Sequence, residues 1–441
     1  MVTYADAAHL LRRAGFGGTR AEVNALVPLS RAAMVERVLD PTKAAAVTRP
    51  AFLDDDALEE WEKGFRLRNW WFDRMRTSAA PLTEKMTLFW HGHFATSMDK
   101  VYDARAVYDQ QNSFRTLGLG SFHTLTTAVS LQAAMLRYLD NDYSVVGSPN
   151  ENFARELMEL FTLGLDQNYT QSDIVEGARA WTGHNVGDNN PRQYVFYSKR
   201  HDNAPKTIFG ITRNWNGPEM IDHIMTQEPH KTSAARLIAR KVWSFFAYGN
   251  PEKAVLDALT MAFHDADLDI TALLRAVFNH DAFYSDRART NHFRSPTEWV
   301  VAAMRVANIR ADVANPPWFM DDMGQQLLYP PNVAGWPNNG AFISSTASAA
   351  RMNFARFLTW KWYQATPTAW QSLKTLSVNS AVDVAYRRFN IDRVSVSDQT
   401  RLREWLTAQR AASTAPAWEW DEWQNINLFT LMLLAPEFNA A

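Results

Sequence analysis

The sequence predicts an all-α protein. It reads as one large multi-helix domain over 1–441, with irregular loop inserts at about 184–215 and 329–343 and a short β-hairpin near 194–209. Three observations predict this. Helix-start signals recur along nearly the whole chain: a Ser, Thr or Asp cap followed three residues later by an acid, or Pro at a first helical turn. Between them apolar residues repeat at helical rather than alternating spacing. Strand-like runs are confined to one polar stretch, and no repeat, low-complexity tract or linker divides the chain.

In order, Thr3 with Asp6 opens a helix that stops at Gly15, Thr19 with Glu22 repeats the device, and Ser30 opens a third helix to Leu39. Residues 56–77 form a long amphipathic helix carrying Trp61, Phe65, Trp70, Trp71 and Met75. Helices follow over 82–94, 103–117 and 122–139. Ser148-Pro149-Asn150-Glu151 starts a helix that runs to Gly164, and Thr170 with Asp173 caps the next. From His184 to Trp215 the helical period fails. Gly187 to Pro191 is a turn cluster, and Tyr194–Tyr197 and Thr207–Phe209 are short strands around His201-Asp202. Helices resume at Gly217-Pro218, Asn250-Pro251, Asp269 and Ser295-Pro296-Thr297-Glu298. Residues 329–340 are too rich in Pro and Gly for helix, Ser344 or Ser345 caps a helix to about Tyr363, and three more helices reach Phe438.

Composition narrows the function. With 46% apolar and 21% charged residues the chain is an ordinary globular one, and its net charge of −2 gives no field for nucleic acid or an anionic membrane. The absence of cysteine excludes disulfides, thiolate metal sites and a cysteine nucleophile. No leader-like segment and no spanning apolar run stand in the sequence as written, so the expected compartment is the cytoplasm unless an export signal was trimmed. Phosphate-binding Gly loops, a dinucleotide fingerprint, a Gly-x-Ser-x-Gly elbow and His-Glu-x-x-His are all missing. The 17 tryptophans are core residues or the lining of a cleft for a flat or sugar-like ligand.

The candidate site centres on Trp90-His91-Gly92-His93-Phe94. Residues two apart on a helix point about 200° apart, so His91 and His93 share a metal only if the helix breaks at Gly92. If it continues, His93 falls in line with Leu82, Met86 and Phe89 as a core residue, and His91 alone faces the site. On the helix from Asn150, the side chains of Glu151, Arg155 and Glu159 share a face, as a charge ladder or as site residues. Glu156 lies off that ladder among apolar neighbours, where a carboxylate is paired, a ligand, or a general acid with a raised pKa. His201, Asp202 and Lys206 occupy the polar insert, and His184 follows a helix stop at Gly183. Asn332 and Trp336 mark the second loop.

Taken together, these blocks resemble the bacterial domain-of-unknown-function 1800 family. The resemblance rests on His9 to Gly17, Trp90 to Phe94, Asn150 to Gly164, Ala180-Trp181-Thr182-Gly183, His201-Asp202 with Lys206-Thr207, Ser295 to Glu298 and Pro330 to Pro337, in family order over nearly the whole chain. It implies a mostly helical fold and no assigned reaction. It also implies an exported protein with a sulfatase-like partner protein, whereas this sequence shows no signal segment. Gly92 stands where relatives often carry a polar residue, which leaves the role of that middle position open.

The leading expectation is a metal-dependent hydrolase. His91, His93 and Glu151 or Glu156 would hold a divalent ion, zinc or iron-like, with a further ligand from His201 or Asp202. Glu156, Glu159, Arg155 and Asp202 would serve the chemistry, and Asn150, His184, Lys206, Asn332 and Trp336 would bind a small-molecule, glycan or peptide substrate. Three alternatives stay open: non-haem iron oxidation on the same ligands, a metal-free glycan-active enzyme using paired carboxylates, and a non-catalytic binding or assembly protein. The 184–215 insert and the 329–343 loop are expected to roof the site.

Overall fold

A computed structural model describes residues 2–40, 42, 46–337, 339–366, 373, 375–391, 394–412 and 417–440, with the backbone alone at 339 and 417–422. Asn338, within the expected 329–343 loop, lies outside the described residues, as do 392–393 and 413–416 between the last helices. The protein is predominantly helical, with two small antiparallel hairpins. Among the described residues no helix is long and apolar enough to cross a membrane.

Helix starts follow the local chemistry. Thr3/Asp6, Thr19/Glu22, Thr170/Asp173 and Ser295/Glu298 each form a reciprocal capping box, satisfying two otherwise orphaned N–H groups. Ser344 caps Ser345–Ala365. At the Ser148-Pro149 signal the cap moves two residues on: Asn150 caps Glu151–Glu156 through its own side chain. Likewise Glu252, not Asn250, precedes Lys253–Asp265. The expected 122–139 helix is two, Phe122–Ser130 and Ala133–Tyr138.

The insert contains both expected strands, but they do not pair with each other. His184–Val186 pairs with Tyr194–Phe196, and Lys206–Ile208 with Ile211–Arg213. The turn cluster after Val186 closes the first hairpin. Phe209 and Gly210, both at positive φ (54° and 75°), close the second as a two-residue turn. Each strand therefore finds its nearest neighbour in sequence.

Pro81–His93 is the helix around which the core is built. Leu82, Met86, Phe89 and Trp90 enter one apolar cluster, together with helices Glu151–Glu156, Gln171–Ala180 and His230–Phe246. Leu88 enters a second cluster with Glu60–Thr77, Pro296–Ala307 and Ser345–Ala365. Every residue from Leu82 to His91 is buried. A helix buried all round must satisfy its polar residues internally. Glu84 accepts from Trp71 Nε1 (3.0 Å) and pairs with Arg74 and Arg115. Lys85 pairs with Glu298 and donates to the Gly15 carbonyl (3.1 Å). His91 and His93 complete the set, on opposite sides of the helix.

Candidate functional site

The Pro81–His93 helix runs unbroken through Gly92, so the two histidines diverge. Their roles are the reverse of those expected for a continuous helix. His91 is fully buried between Trp71 and Trp336, ring centroids 5.4 and 5.1 Å away, and its Nε2 accepts from the Leu328 N–H (3.1 Å). With Nε2 an acceptor, burial lowers its pKa to about 3. His93, on the other side, lines a cavity.

That cavity has a volume of about 370 Å³ and lies between the Pro81–His93, His230–Phe246 and Pro296–Ala307 helices and the 329–343 loop. Phe89, Phe245, Phe342 and Trp336 give it aromatic walls, and His93, Arg240, Lys241, Glu298 and Gln325 contribute polar groups. A Cβ on Gly92 would meet no atom within 4 Å, so the missing side chain leaves this wall open. Gly335 packs in the opposite manner. Its φ is +78° and a Cβ there would lie 2.1 Å from the Gly92 carbonyl oxygen, so glycine lets the loop backbone lie directly on the helix.

The geometry of His93 and Lys241 originates in the Asn150 helix. After Glu156 that helix widens into a π-turn, Leu157–Thr162. Leu163 N–H (2.9 Å) and Gly164 N–H (3.0 Å) both donate to the Met158 carbonyl, and Gly164 takes φ +96° to end the helix. The carbonyls of Leu160 and Phe161, left over at this end, are met by side chains instead. His93 Nε2–H donates to the Phe161 oxygen (3.0 Å), which makes Nδ1 an acceptor for Lys241 Nζ (3.0 Å). Lys241 also donates to the Leu160 oxygen (2.9 Å). Among the described residues no carboxylate pairs with Lys241, although Arg236, five residues earlier on the same helix, pairs with Asp257. The Lys241 chain is partly accessible, but its ammonium is closely surrounded; burial first, then the Arg240 charge, lowers its pKa to about 8.

Beside them is a buried ionic group. Glu298 accepts from Lys85 and from its own cap, Ser295 N–H (2.8 Å), and His292 Nε2 lies 3.9 Å from it. Burial alone would raise this carboxyl, but the cations around it hold it well below the usual range. His292 is kept neutral, its pKa lowered by burial to about 4.

Of the catalytic, ligand and substrate-binding candidates named from the sequence, His93 and Trp336 line this cavity, with Phe89 and Gly92 of the same helix beside them; the other candidates lie elsewhere. Glu151 and Glu159 share Arg155 (2.8 and 3.3 Å), which is the ladder reading. Glu156 lies off the ladder and is half-buried, and burial and then Glu159 raise its carboxyl. Asn150 caps its helix and donates to the Asp140 carbonyl (3.2 Å). In the insert, His201 Nδ1 bonds to the Thr182 carbonyl (2.8 Å), Asp202 pairs with Arg179 (2.7 Å), His184 bonds Tyr194 (2.9 Å) and Lys206 bonds Asn214 (2.9 Å). Each therefore braces the hairpins. Asn332 is exposed and closes a turn on Ala334 N–H (2.9 Å). The 329–343 loop does wall the cavity; none of its lining comes from 184–215.

The expected metal ligands do not fit one ion. His91 and His93 point apart, Glu151 is held by Arg155, and His201 faces Thr182. Among the described residues no three His, Asp or Glu side chains converge in a way that could hold a metal.

Sequence reasoning missed Lys241, Glu298, Lys85 and His292 as site residues. A signal for Lys241 was present: it stands in the apolar i, i+4 row Leu237-Lys241-Phe245, where a solvated lysine is out of place. Lys85 within Leu82–Phe89 is similar.

No curated protein and no solved structure matches this chain. Four of the sequence blocks carrying the earlier resemblance pack against the Pro81–His93 helix: Gly15 accepts from Lys85, Phe161 accepts from His93, Glu298 pairs with Lys85, and Trp336 lies over His91, whereas the Ala180–Gly183 and His201–Thr207 blocks meet each other in the insert. The sequence model of the family described as protein of unknown function (DUF1800) matches residues 9–440, and the chain belongs to that family.

Proposed function

We propose that the protein is an enzyme acting on a small anionic substrate in the cavity beneath Trp336, with Lys241 as its general acid and base. The observation that carries this reading is the hydrogen bonding of Lys241. It has two acceptors, His93 Nδ1 and the Leu160 carbonyl, and it lines the cavity without a carboxylate partner among the described residues. A neutral amine donating to both acceptors turns its lone pair toward the remaining open side, while the ammonium presents a third N–H there. A lysine desolvated beside another cation is the usual way to bring an amine near neutral pH. It then takes a proton from the substrate and returns it to the product. Arg240, at the rim, supplies charge for the anion, and the aromatic walls exclude water.

The metal-assisted readings, hydrolytic or oxidative, have no converging ligand set among the described residues. Of the carboxylates that a glycan-cleaving pair would draw on (Glu151, Glu156, Glu159 and Asp202), Glu151 and Glu159 are tied to Arg155 and Asp202 to Arg179. The competing structural role is that Lys241 and His93 only cap the π-turn.

Reductive trapping separates these roles. Glyoxylate, a small anionic aldehyde, condenses with a neutral amine with loss of water, and cyanoborohydride reduces the resulting imine to a stable secondary amine. Near neutral pH, peptide mapping should find Lys241 modified ahead of the surface lysines, and Arg240→Gln should slow it. Lys241 left unmodified while surface lysines react would contradict the proposal.

A further inference from the structure

A cleft of about 880 Å³ opens between the Thr19–Glu22 turn, the end of the Glu60–Thr77 helix, the Pro296–Ala307 helix and the end of the Val378–Arg388 helix. Seven arginines line it with one carboxylate, Glu22, and no lysine. Four of the arginines are engaged within the protein. Arg76 pairs with Asp73 and donates to Asn308 (2.9 Å), and Arg305 donates to the Arg76 carbonyl (3.0 Å) and reaches Glu22 (3.6 Å). Arg294 is buried over the Phe438 ring, and Arg12 is engaged as well. Arg20, Arg387 and Arg388 differ. All three are exposed, and among the described residues none of their side chains has a carboxylate or hydrogen-bond partner. Arg20 lies over the Tyr4 ring (5.5 Å) and Arg388 over the Trp362 ring (4.6 Å). A guanidinium seated on a ring contacts it through its face and keeps its in-plane N–H groups for an oxyanion.

Specific contacts bring these cations, from opposite ends of the chain, to one cleft. Tyr4 O–H donates to Asn390 Oδ1, and Asn390 Nδ2 donates to the Gly18 carbonyl (3.0 Å). Asn390, at φ +49°, stands just past the Val378–Arg388 helix, so this clamp ties the segment carrying Arg20 to the helix end carrying Arg387 and Arg388. Cations gathered in this way repel one another until an anion lies between them. The use of arginine without lysine favours phosphate, whose oxygens the guanidinium fork can meet in pairs. The volume is that of a small-molecule site. Three cations without carboxylate partners match about three negative charges in that space, which linked phosphates carry and a single carboxylate does not. We infer that this cleft binds a small polyphosphate, a compound with two or more linked phosphate groups, between Arg20 and the Arg387-Arg388 pair. The rest of the lining mixes hydroxyl, amide and apolar side chains, so the arginines supply the selectivity. None of it belongs to the Lys241 cavity, and the site stands independently of that reaction.

Isothermal titration of the full chain with inorganic tripolyphosphate, orthophosphate, a short DNA duplex and phosphatidylglycerol vesicles tests this. Tripolyphosphate should bind saturably at one site, and orthophosphate at least tenfold more weakly. Combining Arg387→Gln with Arg388→Gln should weaken tripolyphosphate at least tenfold. So should Arg20→Gln with Arg387→Gln, which leaves the Arg388 contact with Trp362 in place and serves if the first pair does not fold by circular dichroism. Arg200→Gln, an exposed arginine of the insert outside the cleft, should leave binding unchanged. No saturable binding of tripolyphosphate, equal binding by the wild type and the folded cleft variants, orthophosphate binding as tightly, or an equal loss in Arg200→Gln would each overturn the assignment. So would tighter binding of the duplex or the vesicles through the same arginines, which would make the cleft part of a macromolecular surface.

Discussion

Acidification should unfold this protein well before its ordinary carboxylates titrate. His91 and His184 are held down to about 3 and His292 to about 4, in each case chiefly by burial. In the unfolded chain the same groups titrate near 6.5. A folded pKa below the unfolded one means that the unfolded state takes up the proton first, so stability falls as pH drops below 6.5 and goes on falling to the folded value. At about pH 5 each such histidine costs about 2 kcal/mol, roughly 6 kcal/mol for the three. His9 and His93, also held well below 6.5, push the same way. Asp109, Asp142, Glu156 and Glu437 have raised carboxyls and oppose the trend at lower pH. Against a total of about 5–15 kcal/mol, the loss is a large fraction of the stability. Urea unfolding followed by circular dichroism at about pH 7.5, 6 and 5 measures it. A midpoint that stays level across this range would refute the claim that these rings are buried neutral, and His91→Phe should flatten the slope if the claim holds.

Two further predictions concern the frame of the cavity. Glu298→Ala leaves Lys85 buried without its partner and removes a cap, so urea unfolding should show a loss of about 3–5 kcal/mol, against about 1 kcal/mol for an ordinary cap alone. The neighbouring glycines should behave oppositely in thermal melts. Gly335→Ala, at φ +78° and 2.1 Å from the Gly92 carbonyl oxygen, should cost at least about 2 kcal/mol. Gly92→Ala meets open space and adds a helix former, so it should raise stability by up to about 1 kcal/mol.

What could be read from the sequence was local. The capping boxes at Thr3, Thr19, Thr170 and Ser295 involve residues three apart, so the pattern nearly determines the contact. The divergence of His91 and His93 followed from the helical period once the helix continued through Gly92. Which of them faced a cavity did not. That depends on Trp71 and Trp336 closing over one side while the end of the Asn150 helix, with its two spare carbonyls, meets the other. The strands of the insert were visible, but their pairing was decided by two turns, one built on Phe209-Gly210. Asp202, His201 and Lys206 look chemically suggestive in isolation, and only their partners Arg179, Thr182 and Asn214 give them a bracing role. Lys241 and Glu298 stand 148 and 213 residues from their partners on the Pro81–His93 helix, a distance no periodicity reports.

The proposed chemistry requires Lys241 to titrate near neutral pH at the cavity wall, and an NMR titration of isotopically labelled lysine reads that titration, with the signal assigned by Lys241→Arg. The midpoint should lie at about 8 and rise in Arg240→Gln as the neighbouring charge is removed. A midpoint at the ordinary lysine value of 10.5, unmoved by that substitution, would contradict it and leave Lys241 as a helix cap.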